Sequence, residues 1–254
     1  MPGDAWLIPD WPAPARVRAA VSTRQGPGVS EGAWARFNLG ARCGDLPEAV
    51  AANRAAVRSS LGLARDPHWL QQVHGVDVAD VDRLTNGAEP RADASLTQRA
   101  GEPLAILTAD CLPVLFCTTE GRAVAAAHAG WRGLQAGVLE AALNSLQAPP
   151  TQVMAWLGPC IGKASYEVGE EVRDAFIVCD AGAAEGFEPT RPGHWLCDLA
   201  WLARRRLQAA GMTRVHGGGF DTRADERFYS YRRDGANSGR FASLIWITSA
   251  ASVA

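Results

Sequence analysis

Residues 103–130 read PLAILTADCLPVLFCTTEGRAVAAAHAG. Runs 103–108, 112–117 and 122–128 are apolar and short, and each ends at a polar or Gly break, so each predicts a strand. No helix fits between them. Upstream, 68–73 and 76–81 read as two further strands, and 16–22 (RVRAAVS) as the first. A single helix, predicted over 46–61, interrupts this series. Asp45 is its expected cap, Glu48 the capping-box partner and Gly62 the terminator. Several strands therefore precede the second helix. That order excludes regular strand–helix alternation, and with it a Rossmann domain or an alternating barrel.

Downstream, a second helix is predicted over 133–147, stopping before Pro149-Pro150. A strand at 152–157, a helix near 167–179, a helix from Asp198 to Gly211 and a last strand at 241–247 follow. The reading is a mixed α/β fold with sheets covered by helices. No GxGxxG follows a strand, and Gly217-Gly218-Gly219 opens no helix, so a phosphate-cradling loop is not expected.

Composition narrows the function. Of the 254 residues, 47% are hydrophobic and 20% charged, as in ordinary globular proteins. The net charge of -2 gives no general pull toward nucleic acid. Among the 25 basic residues only Lys163 is a Lys, so amine chemistry has one candidate. The longest apolar stretch, 103–117, is broken by Thr108-Ala109-Asp110, and no membrane span is expected. Residues 1–15 lack the pattern of a secretory signal, which makes a cytoplasmic location the expectation. The six Cys form no CxxC pair, which argues against zinc fingers and thioredoxin-like motifs.

Three segments set reactive side chains at strand ends. His74 closes WLQQVHG, Cys111 follows Asp110 in LTADCLP, and His128 ends a strand before the Gly-bounded turn of HAGWRG. Taken singly, a hydrogen-bonded structural His or a buried inert Cys explains each. Taken together, two imidazoles and a thiolate suit Zn²⁺, and three protein ligands leave the fourth position open, as catalytic sites do. The separations of 37 and 17 residues match no short metal motif, and spacing alone does not show that the three meet.

The motif series QQVHG, TADCLPVLF, HAGWRGL, LGPCIG, YEVGEEV and FYSYRRDG…SGR…ASLIW resembles the YfiH/laccase-domain family. Ser22-Thr23-Arg24, Asn38-Leu39-Gly40 and Asn53-Arg54 fit as well, so the resemblance spans nearly the whole chain. It implies one α/β/β/α sandwich domain over 1–254 and a metal site of His74, Cys111 and His128. Family names include polyphenol oxidase, purine nucleoside phosphorylase and peptidoglycan editing factor. A multicopper oxidase needs more imidazoles than five His supply, and no His-x-His pair exists. A single Cu²⁺ in the same pocket, with polyphenol oxidase activity, stays open. Purine nucleoside chemistry fits better: phosphorolysis of adenosine, inosine, guanosine and methylthioadenosine, or adenosine deamination with Asp110 as proton shuttle. Arg24, Asn38, Arg54, Arg232 and Arg233 are candidates for binding nucleoside and phosphate, and Trp131 or Tyr229 for stacking on a purine. The alternatives are a Cys–His hydrolase acting on cell-wall precursors and a non-catalytic metal-binding protein. Monomer and homodimer both stay open. One departure stands out: where many members have Cys-Thr, this chain has Asp221-Thr222, and Asp221 is expected to be a solvated loop residue.

Overall fold

Two of the three runs in 103–130 pair with each other, and the third pairs elsewhere. The computed structural model describes residues 4–85 and 87–248. Residues 1–3, 86 and 249–254 of the expected 1–254 unit lie outside the described residues. The strands are β1 (Trp6–Leu7), β2 (Val17–Ser22), β3 (Val78–Asp80), β4 (Ala94–Thr97), β5 (Leu104–Thr108), β6 (Leu112–Thr118), β7 (Val124–Ala129), β8 (Val153–Leu157), β9 (Glu167–Gly169), β10 (Phe187–Arg191), β11 (His194–Cys197), β12 (Arg214–Gly217) and β13 (Phe241–Ile247). The α-helices are α1 (Pro47–Leu61), α2 (Trp131–Ala136), α3 (Val138–Ser145), α4 (Glu170–Cys179), α5 (Leu199–Ala209) and α6 (Tyr231–Asp234).

One sheet runs β1-β2-β13-β5 and a larger one β12-β8-β6-β7-β4-β3, with a small sheet β10-β11-β9. The chain thus leaves the first sheet at Thr108 and enters the second at Leu112. The intervening Ala109-Asp110-Cys111 bridges the two.

Strand alternation explains the stacking. On β6, Leu115 and Cys117 share a cluster with Val21, Ile106, Phe241 and Ile245, between the sheets. Leu112, Val114 and Phe116 instead pack with Leu139, Phe176, Leu202 and Leu207 of the helices. On the far side, Ala105, Ala242 and Leu244 pack with Val57 of α1. Strands buried on both faces read as continuous apolar runs. The layer order is helix, sheet, sheet, helix, which is the expected sandwich. No described helix is long and apolar enough to cross a membrane.

Local expectations fare unevenly. Gly62 ends α1 in the left-handed region at φ 60°, as expected. Asp45 does not cap it. Leu46 is the N-cap, without a side-chain bond, and Pro47 opens the helix. The Asp45 carboxylate instead accepts from Ser30 Oγ at 2.6 Å and Asn38 Nδ2 at 2.8 Å. Residues 68–73 form only isolated bridges, and the strand expected at 76–81 shrinks to β3. The second helix breaks at Gly137, φ 106°, into α2 and α3. Residues 167–169 are strand, so the third helix begins at Glu170.

Asp198 does cap α5, its carboxylate accepting from Trp201 N at 2.9 Å. Asp198→Ala is expected to cost about 1 kcal/mol. In a chain of this size that lowers Tm by about 2–4 °C in a thermal melt. An unchanged Tm would show that solvent replaces the cap.

Candidate metal centre

The site is assembled around a residue that sequence reading missed. Asp93, fully buried just before β4, accepts four hydrogen bonds. Val73 N and Gly75 N donate to Oδ2 at 3.0 and 2.7 Å, and His74 N donates to Oδ1 at 2.9 Å. His128 Nδ1 donates to the same Oδ1 at 2.8 Å. Three consecutive N–H groups can converge on one carboxylate because His74 takes a positive φ of 62°. His128, at the end of β7, is buried. With Nδ1 engaged by Asp93, its Nε2 is the free ring nitrogen.

Cys111 stands at the crossover between the sheets. Asp110 before it adopts φ 90°, and its carboxylate is buried. Oδ1 accepts from Thr222 Oγ1 at 2.6 Å; Oδ2 accepts from Ser230 Oγ at 3.1 Å and Arg232 N at 2.7 Å. Both oxygens are therefore engaged away from the thiol. This bears against the proton-shuttle expectation and gives Asp110 a holding role.

One donor atom from each of His74, Cys111 and His128 lies within 4.8 Å of the others, with Cys111 Sγ 3.9 Å from His74 Nε2. The imidazoles meet edge to face at 4.8 Å between centroids. Burial alone would raise the Cys111 thiol, but the His128 charge and hydrogen bonds from both histidines outweigh it and favour thiolate. The thiolate and Asp93 in turn outweigh burial and raise His128. Other buried thiols lack such neighbours: burial pushes Cys117 up to about 12. Space is also provided. A Cβ on Gly130 would lie 2.9 Å from His74 Cδ2 and 3.0 Å from Cys111 Sγ. The donor set, its thiolate character and the carboxylate behind His128 fit Zn²⁺, whose bond lengths of about 2.0–2.3 Å ask for only a small closure of the three arms.

The three residues face a cavity of about 490 Å³. Trp131, Tyr166 and Tyr231 supply aromatic wall; Arg42, Arg54, Arg132, Arg232 and Arg240 supply charge. Of the arginines expected at substrate, Arg54 and Arg232 are there. Arg24, Asn38 and Arg233 do not line it. Arg24 donates to Ala35 O at 3.3 Å and lies over Tyr229, itself buried. Asn38 is buried and ties the 38–45 loop through Gly40, Asp45 and Arg240 N. Arg233 donates to the carbonyls of Thr222, Arg223 and Phe228. Trp131 lines the cavity, whereas the Tyr229 hydroxyl donates to Trp34 O at 2.7 Å. Asp221 is not free in solvent: it accepts from Gly162 N and Ser165 Oγ. A larger cleft of about 620 Å³ beside α1 shares Arg54 but not His74, Cys111 or His128. Its Arg58, Arg65 and His68 are paired with Asp66 and Glu102.

Arg42, Arg132 and Arg240 were not foreseen. With so many Arg in the chain, type alone ranks none of them. Asp93 did carry a signal in the sequence, an acid between Ala92 and Ala94, though no strand is expected there.

A family model described as multi-copper polyphenol oxidoreductase laccase matches residues 18–248. A purine nucleoside phosphorylase of Pseudomonas aeruginosa is 53% identical over 246 residues, covering 96% of this chain and 99% of its own length. Escherichia coli YfiH, also named a purine nucleoside phosphorylase, is 47% identical over 244 residues, covering 95% and 98%. A crystal structure from Neisseria meningitidis superposes with TM-score 0.92 at 46% identity, covering 96% of this chain and all of the other (100%). The Bacillus licheniformis protein YfiH superposes with TM-score 0.87 at 26% identity, covering 97% of each chain.

Proposed function

The chain belongs to the laccase-domain family that includes YfiH, and from that premise we propose that it is a zinc-dependent purine nucleoside phosphorylase. The observation that carries this reading is the convergence of His74, Cys111 and His128 on a cavity walled by aromatic rings and guanidinium groups. A nucleoside needs a stacking surface for its base, and phosphorolysis needs cations for the incoming anion.

The family description names copper, but the ligand supply is small. Of five His, His68 pairs with Glu102, while His194 and His216 stand on β11 and β12. His74 and His128 alone converge among the described residues. That supports one metal site rather than a multicopper assembly, and leaves a single copper as an occupant to test.

Zinc held by the three side chains would supply a Lewis acid with one open position. The other steps belong to the chain. Trp131, Tyr166 and Tyr231 exclude water and hold the base; the arginines hold phosphate. A phosphate oxygen then bonds to C1′ of the ribose while the C1′–N9 bond breaks. That electron pair goes to the purine, and the proton leaving phosphate ends on the base nitrogen. The products are ribose-1-phosphate and free base. Adenosine, inosine, guanosine and methylthioadenosine share this scissile bond. Deamination has less support, because Asp110, the one acid lining the cavity, has both oxygens engaged. Six unpaired thiols suit a reducing cytoplasm.

The test pairs metal analysis with a nucleoside panel assayed with and without phosphate. Bound zinc and phosphate-dependent release of base are expected. Exhaustive chelation is expected to remove turnover, and zinc to restore it. Full turnover after chelation, abolished by a thiol alkylator, would instead establish a Cys–His hydrolase.

A further inference from the structure

The five guanidiniums of the cavity are not equivalent. Arg42 and Arg54 reach the same carboxylate, Glu89, at 3.3 and 2.7 Å. Arg54 also donates to Leu39 O, and Arg240 to the carbonyls of Ser238 and Gly239. Arg132 differs: among the described residues it has no hydrogen bond and no ion pair. It lies over its neighbour Trp131, 4.3 Å from the ring centroid. Arg232 lies over Tyr166 at 5.2 Å and commits one nitrogen, Nη1, to Glu167 O at 3.0 Å, with no carboxylate pairing it among the described residues.

Stacking on a ring restrains the plane of a guanidinium without using its N–H groups. An arginine held in this way keeps a two-pronged donor edge for a tetrahedral oxyanion. The Glu89 pair has half its charge cancelled. Arg54 is stacked too, over Trp69 at 4.4 Å, but shares its charge with Glu89, and Arg240 spends Nη1 on two carbonyls. Arg132, stacked and with no partner among the described residues, keeps the largest unused donor edge, so an anion entering the cavity gains most there.

We propose that Arg132, seconded by Arg232, forms the oxyanion subsite that receives inorganic phosphate. This rests on the phosphorolysis reading and names the residue that takes its co-substrate. In the transfer, the subsite holds the non-attacking phosphate oxygens while the fourth bonds to C1′.

Arg132 is exposed, so Arg132→Ala is expected to fold normally. Two measurements decide the matter: phosphate KM at saturating inosine, and binding of inorganic phosphate to the metal-loaded protein by calorimetry. Loss of a charged hydrogen-bond pair is expected to raise the phosphate KM by about ten- to hundredfold while the inosine KM stays within about twofold. Arg132→Lys keeps the charge without the fork and is expected to fall between. A phosphate KM raised by less than about fivefold in Arg132→Ala overturns the assignment. If the wild-type protein shows no phosphate-dependent turnover, the phosphorolysis reading fails and calorimetry decides the subsite. Binding lost in Arg132→Ala upholds it, and equal binding overturns it.

Discussion

Cys111→Ala is expected to lose its bound metal and about three orders of magnitude in kcat/KM while keeping the wild-type fold. The size follows from the several kcal/mol that a Lewis acid contributes at a reacting centre, with each 1.36 kcal/mol worth tenfold. Thiolate is also the ligand that most favours zinc over hard cations, so two imidazoles alone hold it weakly. Independence of the fold rests on the layers. Cys111 is only partly buried, at the sheet crossover, whereas three separate apolar clusters hold sheets and helices together. A chain of 254 residues buries about three quarters of its extended surface without help from a metal. Metal content, kinetics and far-ultraviolet circular dichroism on one preparation test this. Unfolding of the variant would make the metal structural, and undiminished turnover would remove Cys111 from the chemistry.

Asp93→Ala is expected to be the most destabilising single change near the site, costing about 3–5 kcal/mol, because it removes the ionic partner of the buried His128 ring and the common acceptor that shapes the 73–75 turn. The buried His128 Nδ1 and three backbone N–H groups of the more exposed 73–75 turn lose a common acceptor that is itself fully buried. Against a total stability of about 5–15 kcal/mol, that is a large share. Asp93→Asn keeps one acceptor oxygen but turns an NH2 toward two donors, so it is expected to sit between wild type and Ala. Both variants free the His128 ring to rotate or change tautomer, and metal affinity is expected to fall by about 10–100-fold. Urea unfolding of the metal-free proteins reads the first effect. Cobalt titration, followed by the thiolate charge-transfer band, reads the second. Wild-type midpoints and affinity in Asp93→Asn would show that the carboxylate is replaceable.

What the sequence made legible was local chemistry. His74, Cys111 and His128 stood out because each is a ligand type placed where an apolar run stops. A mixed α/β fold with sheets covered by helices followed from strands occurring in series, and the four-layer order from the resemblance to the family. Pairing was not legible, since β5 and β6 look like successive strands of one sheet and only tertiary contacts send them to different ones. Asp45 had the right type and position for a cap, but Ser30 and Asn38 compete for its carboxylate from 15 and 7 residues away. The arginines were the hardest case. Arg24 and Arg233 sit in motifs as distinctive as that of Arg132, yet bond to backbone carbonyls. Whether a guanidinium faces a cavity depends on acceptors that no local pattern displays.

The crossover at 109–111 has a consequence at the bench. The turn at 73–75, held by Asp93 before β4, the Cys111 that precedes β6 and the end of β7 meet only when β4, β6 and β7 are paired in register. A chain with β4, β6 or β7 slipped in register would present two donors at most. On the zinc reading proposed above, tight binding of one metal per chain would be a census of correctly threaded molecules. In a mixed preparation, the bound fraction reports topological yield, which spectroscopy of secondary structure alone would overstate.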